Sequence, residues 1–221
     1  MQNKAKTNKE KRPLKTEPKL KVELNEEQKE VARLFYEYDV NFVLGDFGSG
    51  KTLVASYIAL VAFRKKLFDK IIITRPILKN NLAALPGTAD EKMQPYIYPI
   101  IQNLEMCQGK EITGKMRADG VLEILPIEVC KGVTAVNSVV IVDEFEDLDY
   151  QDFRAILTRT GKDSKIIFCG SSQQIDKQVG KNSCYYKIEK LKDSGLVGWS
   201  ELKANHRNDA LLDIIRYIEE S

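Results

Sequence analysis

Histidine and tryptophan are almost missing from this chain: its 221 residues hold one of each, beside four cysteines. His206 alone, with no C-x-x-C pair, argues against a structural zinc site. Cys107, Cys130, Cys169 and Cys184 are widely spaced and read as reduced thiols, which points to a reducing, cytoplasmic setting. No apolar run approaches the ~20 residues that span a bilayer. Met1–Lys11 is polar and basic, so no secretory signal is expected there. Hydrophobic residues at 43% and charged residues at 30% exclude collagen-like, mucin-like and wholly disordered chains. A chain of this size buries roughly 70–75% of its unfolded surface, enough to fold without metal or disulfide staples.

Charge is unevenly placed. Residues 1–22 carry eight cations against Glu10 and Glu17, whereas the rest of the chain holds 26 cations and 30 anions. A basic leader on a mildly acidic body suits nucleic-acid contact, and equally a solvated leader. Pro13, Pro18 and the lack of aromatic residues predict disorder over residues 1–23, with one domain over 24–221.

The hydrophobic pattern alternates strand and helix. Val31, Leu34, Phe35 and Tyr38 recur at helical spacing over Asn25–Tyr38, with Asn25 and Gln28 as a capping box. Short apolar runs at Val40–Leu44, Ile71–Thr74, Val139–Val142, Lys165–Cys169 and Trp199–Leu202 predict strands. Helices are expected at Gly50–Lys66, near Gln94–Met106, at Asp152–Arg159 and at Asp209–Glu219. Glycines at 109, 114 and 120 predict loops and a hairpin in the rest of Pro76–Gly132. Such alternation implies an α/β fold with a mostly parallel sheet and helices on both faces.

Gly45-Asp46-Phe47-Gly48-Ser49-Gly50-Lys51-Thr52 fits G-x-x-x-x-G-K-[ST], the phosphate-binding P-loop. Its glycines allow positive φ and bring backbone N–H groups close to a phosphate chain at a helix N-terminus. Lys51 places a point charge between terminal phosphates, and the Thr52 hydroxyl reaches Mg²⁺. The motif follows an expected strand and opens an expected helix, the context it requires. Val139–Val142 then delivers Asp143, fit to hold Mg²⁺, and Glu144, fit to deprotonate an attacking water. Gly45, Arg75, Asp143 and Ser171 each fall just past an apolar run, along the rim where open α/β sheets bind ligands.

Three residues have two uses each. Gln174 either senses the γ-phosphate and positions water or sits in a polar loop. Gln28 either reads the adenine edge or serves the cap. Arg207 either stabilises transition-state charge or is a solvated or salt-bridged arginine.

These motifs together resemble the PhoH-like family of P-loop ATPases, related to the core of superfamily 1 helicases. The resemblance runs from Leu24 to the C-terminus. It rests on Leu24-Asn25-Glu26-Glu27-Gln28, the P-loop, Ile73-Thr74-Arg75-Pro76, Leu85-Pro86-Gly87, Glu91-Lys92, Pro95-Tyr96, Val142-Asp143-Glu144, Leu157-Thr158-Arg159 and Gln174-Ile175-Asp176. Three places depart from the family's usual residues: Asp46-Phe47 stands for Pro-Ala, Phe145-Glu146 for Ala-Gln, and Ser171 for Asp. The resemblance implies a RecA-like domain, ATP binding and hydrolysis, and a homo-oligomeric ring, hexameric in form, in which Arg207 reaches a neighbour's site. It also implies RNA or single-stranded DNA as partner; independently, the glycine-punctuated segment Lys110–Lys131 carries Lys110, Lys115, Arg117 and Lys131, cations placed to grip a strand. A nucleotide-switched binding module and a nucleoside kinase are the competing functions; no lid with paired arginines favours the kinase.

Overall fold

The computed structural model describes residues 20–76, 89–175 and 179–203. Helix α1 (Glu26–Glu37) opens with the expected capping box: Asn25 accepts from the Gln28 N–H and Gln28 from the Asn25 N–H. Strand β1 (Val40–Gly45) leads into α2 (Lys51–Arg64), then β2 (Lys70–Arg75), α3 (Ala89–Gln108), α4 (Lys110–Ala118), β3 (Leu122–Pro126) and the short α5 (Ile127–Cys130). Strand β4 (Ser138–Asp143), α6 (Tyr150–Arg159), β5 (Lys165–Gly170), α7 (Tyr185–Ile188) and β6 (Gly198–Leu202) follow.

The six strands form one sheet in the order β3-β2-β4-β5-β1-β6, and every pairing is parallel. Their side chains divide by parity. Val43, Ile71, Ile73, Val139, Ile141 and Ile167 face one side, against Phe35 of α1, Ile58 of α2 and Leu104 of α3. Phe42, Ile72, Val140, Val142, Ile166 and Phe168 face the other, against Phe153 and Ile156 of α6 and Ile188 of α7. Helices on both faces explain why the strands read as unbroken apolar runs rather than alternating ones.

The expected hairpin is corrected. Among the described residues, 109–132 hold α4, β3 and α5, and β3 pairs in parallel with β2. Gly109 precedes α4 and Gly120 follows it, both at positive φ, so these glycines bound a helix instead of turning a hairpin. Helix α3 reaches back to Ala89 and keeps Pro95 and Pro99 inside it. The C-terminal turn of α4 leads into the beginning of β3, which puts Lys115 and Arg117 at the rim where strands start, opposite the P-loop. Lys131 is held by Asp152 at 2.8 Å. The basic leader, the expected helix over 209–219 and Arg207 lie outside the described residues.

Candidate active site

β1 ends at Gly45, where the chain must turn sharply beneath β6. A Cβ there would stand 2.6 Å from both the Leu202 carbonyl and Ser49 Oγ, so only glycine fits. Gly48 and Gly50 adopt φ of 79° and 84°, which turns successive N–H groups toward a common centre. Gly50 sits before the first turn of α2 with no side-chain cap, leaving that helix's N–H groups to an anion. Lys51 is folded back on the loop: its ammonium donates to the carbonyls of Gly45 at 2.5 Å and Asp46 at 2.9 Å. Ser49 Oγ donates to the Asp46 carbonyl as well, closing the loop. Phe47 is 54% exposed at its crest.

Strand β5 lies between β1 and β4, and the start of α2 crosses its end, where Cys169 Sγ lies 3.8 Å from the Lys51 carbonyl. This crossing joins the two halves of the site. Thr52 Oγ1 donates to Asp143 Oδ1 at 2.6 Å across 91 positions of sequence. Burial pushes the Asp143 carboxyl up, opposed by the Thr52 hydroxyl and by the charges of Arg75 and Lys51. Glu144 adopts left-handed φ and ψ of 51° and 46°, uncommon for a side-chain-bearing residue. Its carboxylate is ion-paired with Arg75, whose other nitrogen stands 3.8 Å from Asp143 Oδ2. Burial raises Glu144 above the usual carboxylate range, with Arg75 opposing and Asp143 adding to the rise. A carboxylate moved toward neutrality is a better proton acceptor near pH 7.

Beyond the acid pair, Glu146 is 1% exposed; none of the described side chains pairs with its carboxyl, and only the backbone N–H groups of Glu146 and Ser171 oppose the effect of burial. Its carboxylate lies over Gly170, where a Cβ would stand 2.0 Å from Oε2. Gln174, in the turn after β5, has its Nε2 buried and unpartnered; Ser171 is spent on that turn, accepting from the Gln173 N–H. Gln28 is buried with Oε1 committed to the cap, yet it borders a cavity of about 490 Å³ continuous with Gly48, Lys51 and Thr52. Asn103 of α3 also lines that cavity. The N-terminal segment is tied against the same helix by the Lys21 N–H, which donates to the Cys107 carbonyl.

The structure therefore brings Gly45–Thr52 and Asp143 together, sets Glu144 beside Asp143, and places Gln28 on the adjoining cavity and Gln174 on the same rim. Sequence reading assigns no site role to Asn103 or Glu146. Asn103 lies outside the Glu91-Lys92 and Pro95-Tyr96 motifs of its helix, and the burial of Glu146 depends on a glycine of a neighbouring strand. Arg75 is visible in the sequence as a strand-end cation, but its pairing with Glu144 is not.

A Thr hydroxyl against one carboxylate is the hard-oxygen pair that suits Mg²⁺, which takes one or two protein ligands and fills the rest with phosphates and water. Among the described residues there is no cluster of three or more His, Cys, Asp or Glu that could form an all-protein metal cage. None of their helices is long and apolar enough to cross a membrane.

Comparison with known proteins gives the family and the fold. A family profile described as PhoH-like protein matches residues 21–219. A PhoH-like protein of Bacillus subtilis is 34% identical over 158 residues, covering 71% of this chain and 50% of the relative. Protein PhoH of Escherichia coli is 31% identical over 186 residues, covering 79% of this chain and 51% of that protein. The chain spans about half the length of the curated relatives it matches. Among solved structures, the large terminase from a thermophilic bacteriophage superposes with a TM-score of 0.51 at 10% identity, over 81% of this chain and 46% of that one. That likeness is one of fold, a RecA-like core. On its sequence and its fold, the chain belongs to the PhoH-like protein family of P-loop NTPases.

Proposed function

We propose that this chain binds ATP with Mg²⁺ and hydrolyses it, coupling turnover to RNA or single-stranded DNA. The observation that carries the reading is the 2.6 Å hydrogen bond between Thr52 and Asp143, with Glu144 immediately beyond. The loop amides and Lys51 hold the phosphate chain once Lys51 leaves the carbonyls it now contacts. Thr52 and Asp143 are the residues that would hold Mg²⁺, which when bound offsets phosphate charge. Glu144 accepts the proton of a water attacking the γ-phosphorus; the bond to the leaving oxygen breaks, giving ADP and phosphate. Gln174 positions that water, Gln28 borders the base, and Arg207 serves a neighbouring subunit in a ring, hexameric in form. The domain extends over 24–221, and the protein works in the cytoplasm.

ATP turnover with and without polynucleotides tests this, on protein of known assembly state. Lys51→Ala loses nucleotide binding. Glu144→Gln keeps binding and slows hydrolysis by roughly 10²–10⁴-fold, the usual worth of a general base. Parent-like hydrolysis by Glu144→Gln removes that residue from the mechanism. The Arg75–Glu144 ion pair also supports a second reading, a nucleotide-switched binding module with little turnover, because a base paired to arginine is a weak one. A rate indistinguishable from uncatalysed hydrolysis under every polynucleotide selects it.

A further inference from the structure

The acid turn is stapled to a separate segment that bears exposed rings. Asp149 and Ser183 form a bridge, and the Cys184 N–H donates to the Leu148 carbonyl at 2.7 Å. Ser183 Oγ donates to the Glu146 carbonyl at 2.5 Å, and Cys184 Sγ meets the Phe145 carbonyl at 3.3 Å. These contacts tie residues 183–184 to residues 145–149, the turn that carries on from Glu144.

Two tyrosines flank this seam. Tyr150, the first residue of α6, is 42% exposed, and Tyr186 of α7 is 58% exposed. The Lys187 ammonium stands 4.4 Å from the centre of the Tyr150 ring. Neither ring floats: Tyr150 stacks on Phe153, and Tyr186 meets Tyr185 edge to face. The segment over 179–194 carries Lys181, Lys187, Lys190 and Lys192 against Glu189 and Asp193, with Lys192 held by Glu201 at 2.7 Å. Nearby acids are engaged elsewhere: Asp149 caps α6, and Asp152 holds Lys131.

We propose that Tyr150, Lys187 and Tyr186 form a stacking platform for single-stranded nucleic acid, joined to the acid turn by the contacts of Ser183 and Cys184. The inference rests on the nucleic-acid part of the function proposed above. Solvent-exposed tyrosine rings accept bases of any sequence, the Lys187 ammonium moving from the Tyr150 ring to the phosphates as a base takes its place. Because the platform and the turn after Glu144 are one bonded unit, displacement at the acid pair reaches the strand directly.

The test is fluorescence anisotropy of labelled rU20 and dT20 with the full chain at several salt concentrations; the two probes separate RNA from DNA. Tyr150→Ala and Tyr186→Ala each weaken binding by about fivefold or more, the lower end of one stacked base. Tyr150→Phe and Tyr186→Phe hold parent affinity, because stacking needs the ring and not the hydroxyl. Lys187→Ala lowers the slope of log affinity against log salt by about 0.7, one phosphate contact on a single strand. If the parent binds oligonucleotide and both alanine variants match it, the platform is wrong while the coupling reading stands. If the parent binds neither probe at low salt, both fall. If the alanine variants change assembly state and leave oligonucleotide affinity intact, the tyrosines form a subunit contact and the platform is overturned.

Discussion

Replacing Glu146 by glutamine is expected to stabilise the protein, and increasingly so as pH rises. The carboxyl is buried beside Phe145 and Gly170, and burial pushes it up to about 8 from an ordinary 4.5, against the weaker opposing pull of the Glu146 and Ser171 backbone N–H groups. A raised carboxyl binds its proton more tightly folded than unfolded. Stability is therefore full below about pH 4.5, falls as pH climbs, and levels off above about pH 8. At ~1.36 kcal/mol per unit, the whole window is worth roughly 5 kcal/mol, and the span from pH 5 to 8 about 3–4 kcal/mol. Glutamine has the same shape and no proton to lose. Urea denaturation of parent and Glu146→Gln at pH 5, 6, 7 and 8 reads the difference directly. Asp143 and Glu144 also titrate upward, so the parent's total slope is composite, but the gap between the two proteins isolates residue 146. Curves that stay parallel from pH 5 to 8 refute a carboxyl raised by burial.

Arg75→Gln removes the charge that opposes burial at Glu144, so the acid limb of the ATPase pH–rate profile moves to higher pH; an unmoved limb shows that Arg75 does not set that group. Gly45→Ala forces a Cβ against the Leu202 carbonyl, costing about 1–3 kcal/mol by denaturant titration, with weakened nucleotide binding. The four cysteines are buried and their thiols raised, Cys107 and Cys184 to about 12, so iodoacetamide at pH 8 labels the native chain slowly and the unfolded chain at all four. Rapid labelling of the native protein contradicts the packing around them.

The P-loop, the acid pair and five of six strands are readable in the sequence: the loop by its glycine spacing, β1, β2, β4 and β5 by mostly apolar runs, and β6 by the continuing alternation of strand and helix. β3 escapes such reading because Leu122–Pro126 follows three glycines that read as loops and a hairpin; its Glu123 is held by Lys70 of the neighbouring strand at 2.7 Å. Helix α4 is hidden by the glycines that bound it. Glu146 looks like one more acid in an acidic run, and only the absence of a Cβ at position 170 lets it turn inward. Lys187 over Tyr150 joins residues 37 positions apart, beyond any periodicity.

The strand between β1 and β4 has a bearing on how the protein is born. Both of its neighbours are already synthesised when it emerges, yet neither can reach the other without it. A nascent chain that ends before Lys165 carries the glycine loop and the acid pair but lacks the strand that lies between them. Competence to grip a triphosphate thus arrives abruptly at the ribosome, with the insertion of a single six-residue strand, rather than growing with chain length.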